Sequence, residues 1–250
     1  PESLSKTYLT NSGTEAIEGA LKLAKRATGR SELIAANKAY HGNTMGAMSV
    51  MGFEERKQAF RPLLPDVTFI DFNSNQDLSK ITTKTACVIL ETIQGGAGFI
   101  EPKNNYLSKV KKRCIEVGAL LILDEIQPGI GRTGKLFGFE HYDCVPDILV
   151  TGKGLGGGMP IGAFTASNAL MELLQDKPKL GHITTFGGHP VIGASALATL
   201  REITASRLMQ LTIEKEEHIR SLLVHPLIQE IRGKGLMLAL ITPSEAIATA

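Results

Sequence analysis

A chain of 250 residues, 43% hydrophobic and 21% charged, has the composition of a folded globular protein, with room for one large domain and part of a second; wholesale disorder is excluded. Its 27 Lys+Arg against 25 Asp+Glu leave a net charge of +2, too even a balance for a nucleic-acid-binding surface, and no stretch approaches the roughly 18 apolar residues that cross a bilayer. Three cysteines (Cys87, Cys114, Cys144) without a C-x-x-C pair are too few for a disulfide scaffold and point to a reducing, cytoplasmic setting. The first residues carry no signal-peptide pattern and do not begin with Met, so the chain is expected to be an excerpt of a longer protein.

Short β-branched or aliphatic runs predict strands over Lys6–Thr10, Glu32–Ala36, 67–71, 87–91, 119–124, 148–151 and 161–166. The run 119–123 is apolar at every position, the mark of a strand covered on both faces. After the first strand, Ser12-Gly13-Thr14-Glu15 reads as a capping box in which Ser12 caps and Glu15 reaches back to it. Ile17, Ala20, Leu21, Ala24 and Ala27 follow at helical spacing, and Gly29 ends the helix. A second helix is predicted over 105–117, with Leu107, Val110, Cys114 and Val117 on one face, and two more over 190–204 and 207–223. Gly233-Lys234-Gly235 then introduces a strand over 236–242. This alternation predicts an α/β fold, a mostly parallel sheet with helices on both faces, over 1–206. Residues 207–250 read as the beginning of a smaller C-terminal α+β domain.

Three glycine-bearing segments invite a phosphate reading. Ser12-Gly13-Thr14 is either a plain capped helix or an anion site, where backbone N–H groups, the helix dipole and the two hydroxyls converge. Gly129-Ile130-Gly131-Arg132-Thr133-Gly134-Lys135 contains G-x-G-x-x-G and nearly forms a Walker A loop, but Leu136 stands where Ser or Thr must hold magnesium, and no helix follows. Gly152–Gly158 contains the same pattern, yet Pro160 and a strand come next. Neither binds a nucleotide. Lys153 and Asp124 instead stand at the C-terminal ends of two predicted strands, the edge of a parallel sheet where ligands bind. They are either a buried ion pair tying that edge together or a functional pair. A lysine deprived of solvent is a nucleophilic amine, and an aspartate can keep a pyridine nitrogen protonated. With a phosphate-accepting helix start, these groups fit pyridoxal 5′-phosphate (PLP).

In the order Asn11-Ser12-Gly13-Thr14-Glu15-Ala16, Tyr40-His41-Gly42-Asn43-Thr44, Leu123-Asp124-Glu125-Ile126-Gln127 running on to Gly131-Arg132-Thr133-Gly134, Pro146-Asp147-Ile148, Lys153 to Gly158 and Thr184-Thr185-Phe186-Gly187-Gly188, nearly the whole chain resembles the class III PLP-dependent aminotransferases of fold type I, the ornithine, acetylornithine and 4-aminobutyrate type. The resemblance implies that Lys153 forms a Schiff base with the cofactor and carries a proton, that Asp124 binds the pyridinium nitrogen, and that Gln127 lies near the phenolic oxygen. It implies that Gly13 and Thr14 hold the phosphate, that Tyr40 stacks on the ring, and that Thr185 reaches the phosphate of the neighbouring subunit in a homodimer with its active site at the interface. Glu91 is expected as a supporting group, and His41 and Arg132 in structural roles. The remaining histidines show no ligand spacing, so no metal is expected. The implied activity moves an amino group from an amino acid or ω-amine donor to a 2-oxo acid. PLP-dependent decarboxylation or racemisation on the same fold, or a non-catalytic binding module, are the alternatives.

Two departures stand out. Family members often read Glu-Pro-(Ile/Val)-Gln-Gly-Glu where this chain has Glu91-Thr92-Ile93-Gln94-Gly95-Gly96. In ornithine-type enzymes the later glutamate screens an arginine, and Gly96 has no side chain to do so. His189 also replaces the more usual asparagine after the Gly-Gly pair. The family's N-terminal segment and its carboxylate-binding C-terminal arginine do not fall within these residues.

Overall fold

A computed structural model describes residues 1–244. In chain order the strands and helices are β1 (Lys6–Thr10), α1 (Gly13–Thr28), β2 (Glu32–Ala36), α2 (Met45–Ser49), α3 (Glu54–Lys57), β3 (Val67–Ile70), β4 (Thr85–Glu91), α4 (Tyr106–Val117), β5 (Leu120–Asp124), β6 (Ile148–Gly152), β7 (Gly162–Ala166), α5 (Asn168–Glu172), α6 (Pro190–Ala205), α7 (Leu208–Leu222), β8 (Glu230–Lys234) and β9 (Met237–Ile241). Among the described residues the first seven strands form one sheet in the order β1-β7-β6-β5-β4-β2-β3. Pairing is parallel from β6 across to β3, while β7 lies antiparallel between β1 and β6. β1 therefore runs the same way as β6, and α1 starts at the edge where β4, β5 and β6 end.

The two-residue period of the strands divides the core. Leu33 and Ala35, Cys87 and Ile89, Ile122, and Ile148 and Val150 face α1, packing on Ile17, Ala20, Leu21 and Ala24. Their neighbours Ile34, Val88, Leu90, Leu121, Leu123 and Leu149 point the other way, onto Leu107, Val110, Cys114 and Val117 of α4. A smaller cluster joins Ile130, Leu155, Ile161 and Ala163 to Ala196 of α6. Gly29 closes α1 in the left-handed region, at φ +67, its N–H bonded to Lys25 O.

Two local expectations are corrected. Glu15 does not reach back to Ser12: its Oε2 accepts from the backbone and side-chain nitrogens of Asn11, at 2.8 and 3.0 Å, while Ser12 Oγ accepts from Glu15 N at 3.4 Å. Gly233 and Lys234 belong to β8 and do not introduce the next strand; the chain turns at Gly235, φ +63, into β9. Glu230, Arg232 and Lys234 make β8 a polar strand, which an apolar-run criterion passes over. Of the C-terminal domain expected over 207–250, residues 245–250 lie outside the described residues. No helix among those described is long and apolar enough to cross a membrane.

Candidate active site

β4 and β5 pair in register to their last residues, so Glu91 and Asp124 stand side by side at the sheet edge. β6 ends at Gly152, and Lys153 follows with a left-handed backbone, φ +43, opening a single turn over Lys153–Gly156. The start of α1 abuts the same point: a Cβ on Gly152 would lie 3.5 Å from Gly13 Cα. Gly13, Thr14, Tyr40, Asp124, Gln127 and Lys153 together line one cavity of about 240 Å³, with Glu91 and His41 also in its wall. Thr185, the remaining site residue expected from sequence, is exposed on the segment between α5 and α6 and does not line it.

Asp124 is buried, and both its oxygens are used. Oδ1 accepts from Ile126 N at 3.0 Å, and Oδ2 meets His41 Nδ1 at 2.8 Å. With the carboxylate as acceptor the imidazole proton sits on Nδ1, while Nε2 is buried with no partner among the described residues. His41 thus touches the group at the centre of the cavity; the structural role expected for it from sequence understates its position. The available signal was its place between Tyr40 and Gly42, where φ +133 requires glycine and turns the chain back over the sheet edge.

Asp124 pairs with His41, not Lys153, so the reading of these residues as a structural ion pair does not hold. Nor is Lys153 deprived of solvent. It is exposed, because Gly152, Gly154 and Gly156 to Gly158 offer no side chains to cover it, and it also lines a second cavity of about 320 Å³ with Phe99, Arg132 and Met237. The expectation that this chain deprives Lys153 of solvent does not hold.

Two further carboxyls stand at this edge. Glu91 accepts from Tyr40 N at 3.2 Å and from Gly95 N at 3.0 Å. Burial pushes its pKa up to about 7; neighbouring His41 opposes the shift and Asp124 adds to it. Glu125, the next residue after Asp124 and fully buried, accepts from Thr92 Oγ1, Gly138 N and Phe139 N, and burial raises it to about 7 as well.

The family model described as "Aminotransferase class-III" matches residues 1–249. The chain belongs to this family. The LysW-aminoadipate semialdehyde/glutamate semialdehyde transaminase of Sulfolobus acidocaldarius is 39% identical over 245 residues, 96% of this chain and 62% of that protein. The putrescine aminotransferase of Pectobacterium atrosepticum is 45% identical over 257 residues, 96% of this chain and 55% of that protein. The structure of an ornithine aminotransferase from Toxoplasma gondii, described with partial occupancy of PLP at its active site, superposes with a TM-score of 0.90 at 32% identity, over 97% of this chain and 61% of that one. This class III chain thus spans about three fifths of the length of the relatives it matches, and shares the α/β fold of its structural neighbours.

The residues present fit the family's cofactor. An amine at Lys153, a carboxylate at Asp124 and the N-terminal amides of α1 face one cavity. Gly13 keeps the helix start open, since a Cβ there would lie 2.7 Å from Ile126 Cδ1, so backbone N–H groups can approach an anion closely.

Proposed function

We propose that the protein is a PLP-dependent aminotransferase, moving an amino group from an amino acid or ω-amine to a 2-oxo acid. The observation that carries this reading is the convergence of Lys153, Asp124 and the first turn of α1 on one cavity. Bound there, PLP supplies an aldehyde that condenses with amines and a ring that takes up electrons once its nitrogen is protonated. Asp124 Oδ2, held by His41, is the acceptor that would keep that proton on the ring nitrogen. Lys153 Nζ would hold the cofactor covalently and, as a free amine, take the proton from the substrate's amine-bearing carbon. Gln127 would meet the phenolic oxygen, Tyr40 would cover the ring face, and the N–H groups of Gly13 and Thr14 would hold the phosphate.

In the same reading residues 1–206 form the cofactor domain and 207–250 begin a smaller one. The protein is a cytoplasmic homodimer in which Thr185, exposed on its own chain, serves the partner's phosphate. Three buried free cysteines suit a reducing compartment. The similarity to relatives named for putrescine and for semialdehyde substrates supports an ω-amine donor. Lys153→Ala in the intact protein tests the reading: loss of the absorbance band of a lysine adduct with PLP, and of amino transfer, is expected. Undiminished turnover would overturn it, and a product whose nitrogen does not come from the donor would point to decarboxylation or racemisation instead.

A further inference from the structure

Glu18 lies one turn into α1 and is not in the cavity wall, yet it ends a chain of hydrogen bonds that starts there. Its Oε1 accepts from Thr44 Oγ1 at 2.6 Å, Gly46 N at 2.8 Å and Ala47 N at 3.0 Å. Thr44 is the N-cap of α2, but its own side chain caps nothing; the acceptor for the first amides of α2 comes from Glu18 on the neighbouring helix. Thr44 Oγ1 also meets Thr14 Oγ1 at 2.7 Å, and Thr44 N donates to Thr14 Oγ1 at 3.2 Å.

The direction of these bonds follows from counting protons. A hydroxyl has one to give. Thr44 gives its proton to Glu18, so the bond between the two threonines must be donated by Thr14. Thr14 Oγ1 is then a donor to Thr44 Oγ1 and an acceptor from Thr44 N, with no proton left for the cavity. The space around the chain is filled: a Cβ on Gly42 would lie 2.2 Å from Thr14 Oγ1, and one on Gly46 would lie 2.2 Å from Glu18 Oε2.

We propose that Glu18 is a positioning residue for the phosphate end of the cavity. Through Thr44 it turns the Thr14 hydroxyl proton away from the cavity, so that a phosphate is held there by the backbone amides opening α1 and not by the Thr14 side chain. This rests on the PLP reading, and corrects the expectation that the Thr14 hydroxyl adds a donor.

The test is the ratio of affinities for PLP and for pyridoxal, which lacks the phosphate, measured by fluorescence titration of the intact apoprotein. Thr14→Val should change that ratio by less than about twofold in the otherwise unaltered protein. In a Glu18→Ala background the Thr44 proton is released, Thr14 can turn its own toward the phosphate, and Thr14→Val should then cost about fivefold or more, the size of one net hydrogen bond. If Glu18→Ala does not fold, Thr44→Val releases the same Thr14 proton while leaving Glu18 on the amides of α2, and predicts the same conditional cost. A fivefold loss from Thr14→Val alone would overturn the proposal, as would a loss below twofold in every background. A wild-type protein that binds PLP no better than pyridoxal would overturn the PLP reading itself; a clear phosphate preference with the wrong pattern among the variants would overturn only the role of Glu18.

Discussion

Replacing Glu91 with glutamine should flatten the pH dependence of stability between pH 4.5 and about 7. The Glu91 carboxyl has exchanged water for two backbone donors, Tyr40 N and Gly95 N, and burial raises its pKa from 4.5 to about 7. Between those values the native state keeps a proton that the unfolded chain releases. Stability therefore falls as pH rises through the window; below it both states hold the proton, and above it neither does and the loss is complete. One proton over the window from 4.5 to about 7 amounts to roughly 3 kcal/mol. Glutamine stays neutral throughout, so the stability of Glu91→Gln relative to wild type should improve by about 3 kcal/mol from pH 4.5 to 7.5. The amide also turns an NH₂ toward one of the two backbone donors, a cost of about 1–3 kcal/mol that offsets the curve without tilting it. Glu125 titrates in the same window with the same sign, but is common to both proteins and cancels in the difference. Urea unfolding at half-unit pH intervals measures this swing. Parallel curves for the two proteins would refute the claim that burial governs Glu91.

Two further outcomes follow from the packing. Gly42→Ala puts a methyl 2.2 Å from Thr14 Oγ1 at a backbone φ of +133 and should lower stability by about 1–3 kcal/mol, read as a lower thermal midpoint; an unchanged midpoint would count against the described course of the Tyr40–Thr44 segment. Gly96→Glu should cost about 1–3 kcal/mol, because its Cβ would lie 2.9 Å from Phe53 Cε2. Phe53→Ala should relieve that cost in the double variant, whereas additive losses would show that the two sites do not touch.

The sequence made the sheet legible because its central strands β2, β4, β5 and β6 are short, mainly apolar runs covered on both sides, and the helices α1 and α4 because each carries one apolar face. β8 was hidden by its charged residues, and α2, α3 and α5 are too short to display a helical period. At the site, Asp124 and Lys153 were legible as strand-end residues, and the resemblance added Tyr40, Gln127 and the helix start. Two things were not legible. Whether Lys153 is buried depends on what covers a glycine-rich turn from elsewhere, and the bond between His41 and Asp124 joins residues 83 positions apart. No local pattern reports either one.

The three carboxyls at the ends of β4 and β5 show why that bond matters. Glu91, Asp124 and Glu125 are buried within two adjacent strand ends, where three full negative charges would repel one another in a site with little water. They are not treated alike. Glu91 and Glu125 receive backbone amides, Glu125 a hydroxyl as well, and near neutral pH each is pushed toward holding its proton. Asp124 alone receives an imidazole N–H, beside the amide of Ile126, and it is the carboxyl that neighbours both of the others. Burial thus favours the neutral form of Glu91 and Glu125, which lessens the repulsion they exert on Asp124, the carboxylate that His41 orients in the cavity wall. A pyridine nitrogen placed beside Asp124 would meet a carboxylate already oriented by His41 and Ile126, an arrangement that favours keeping that nitrogen protonated.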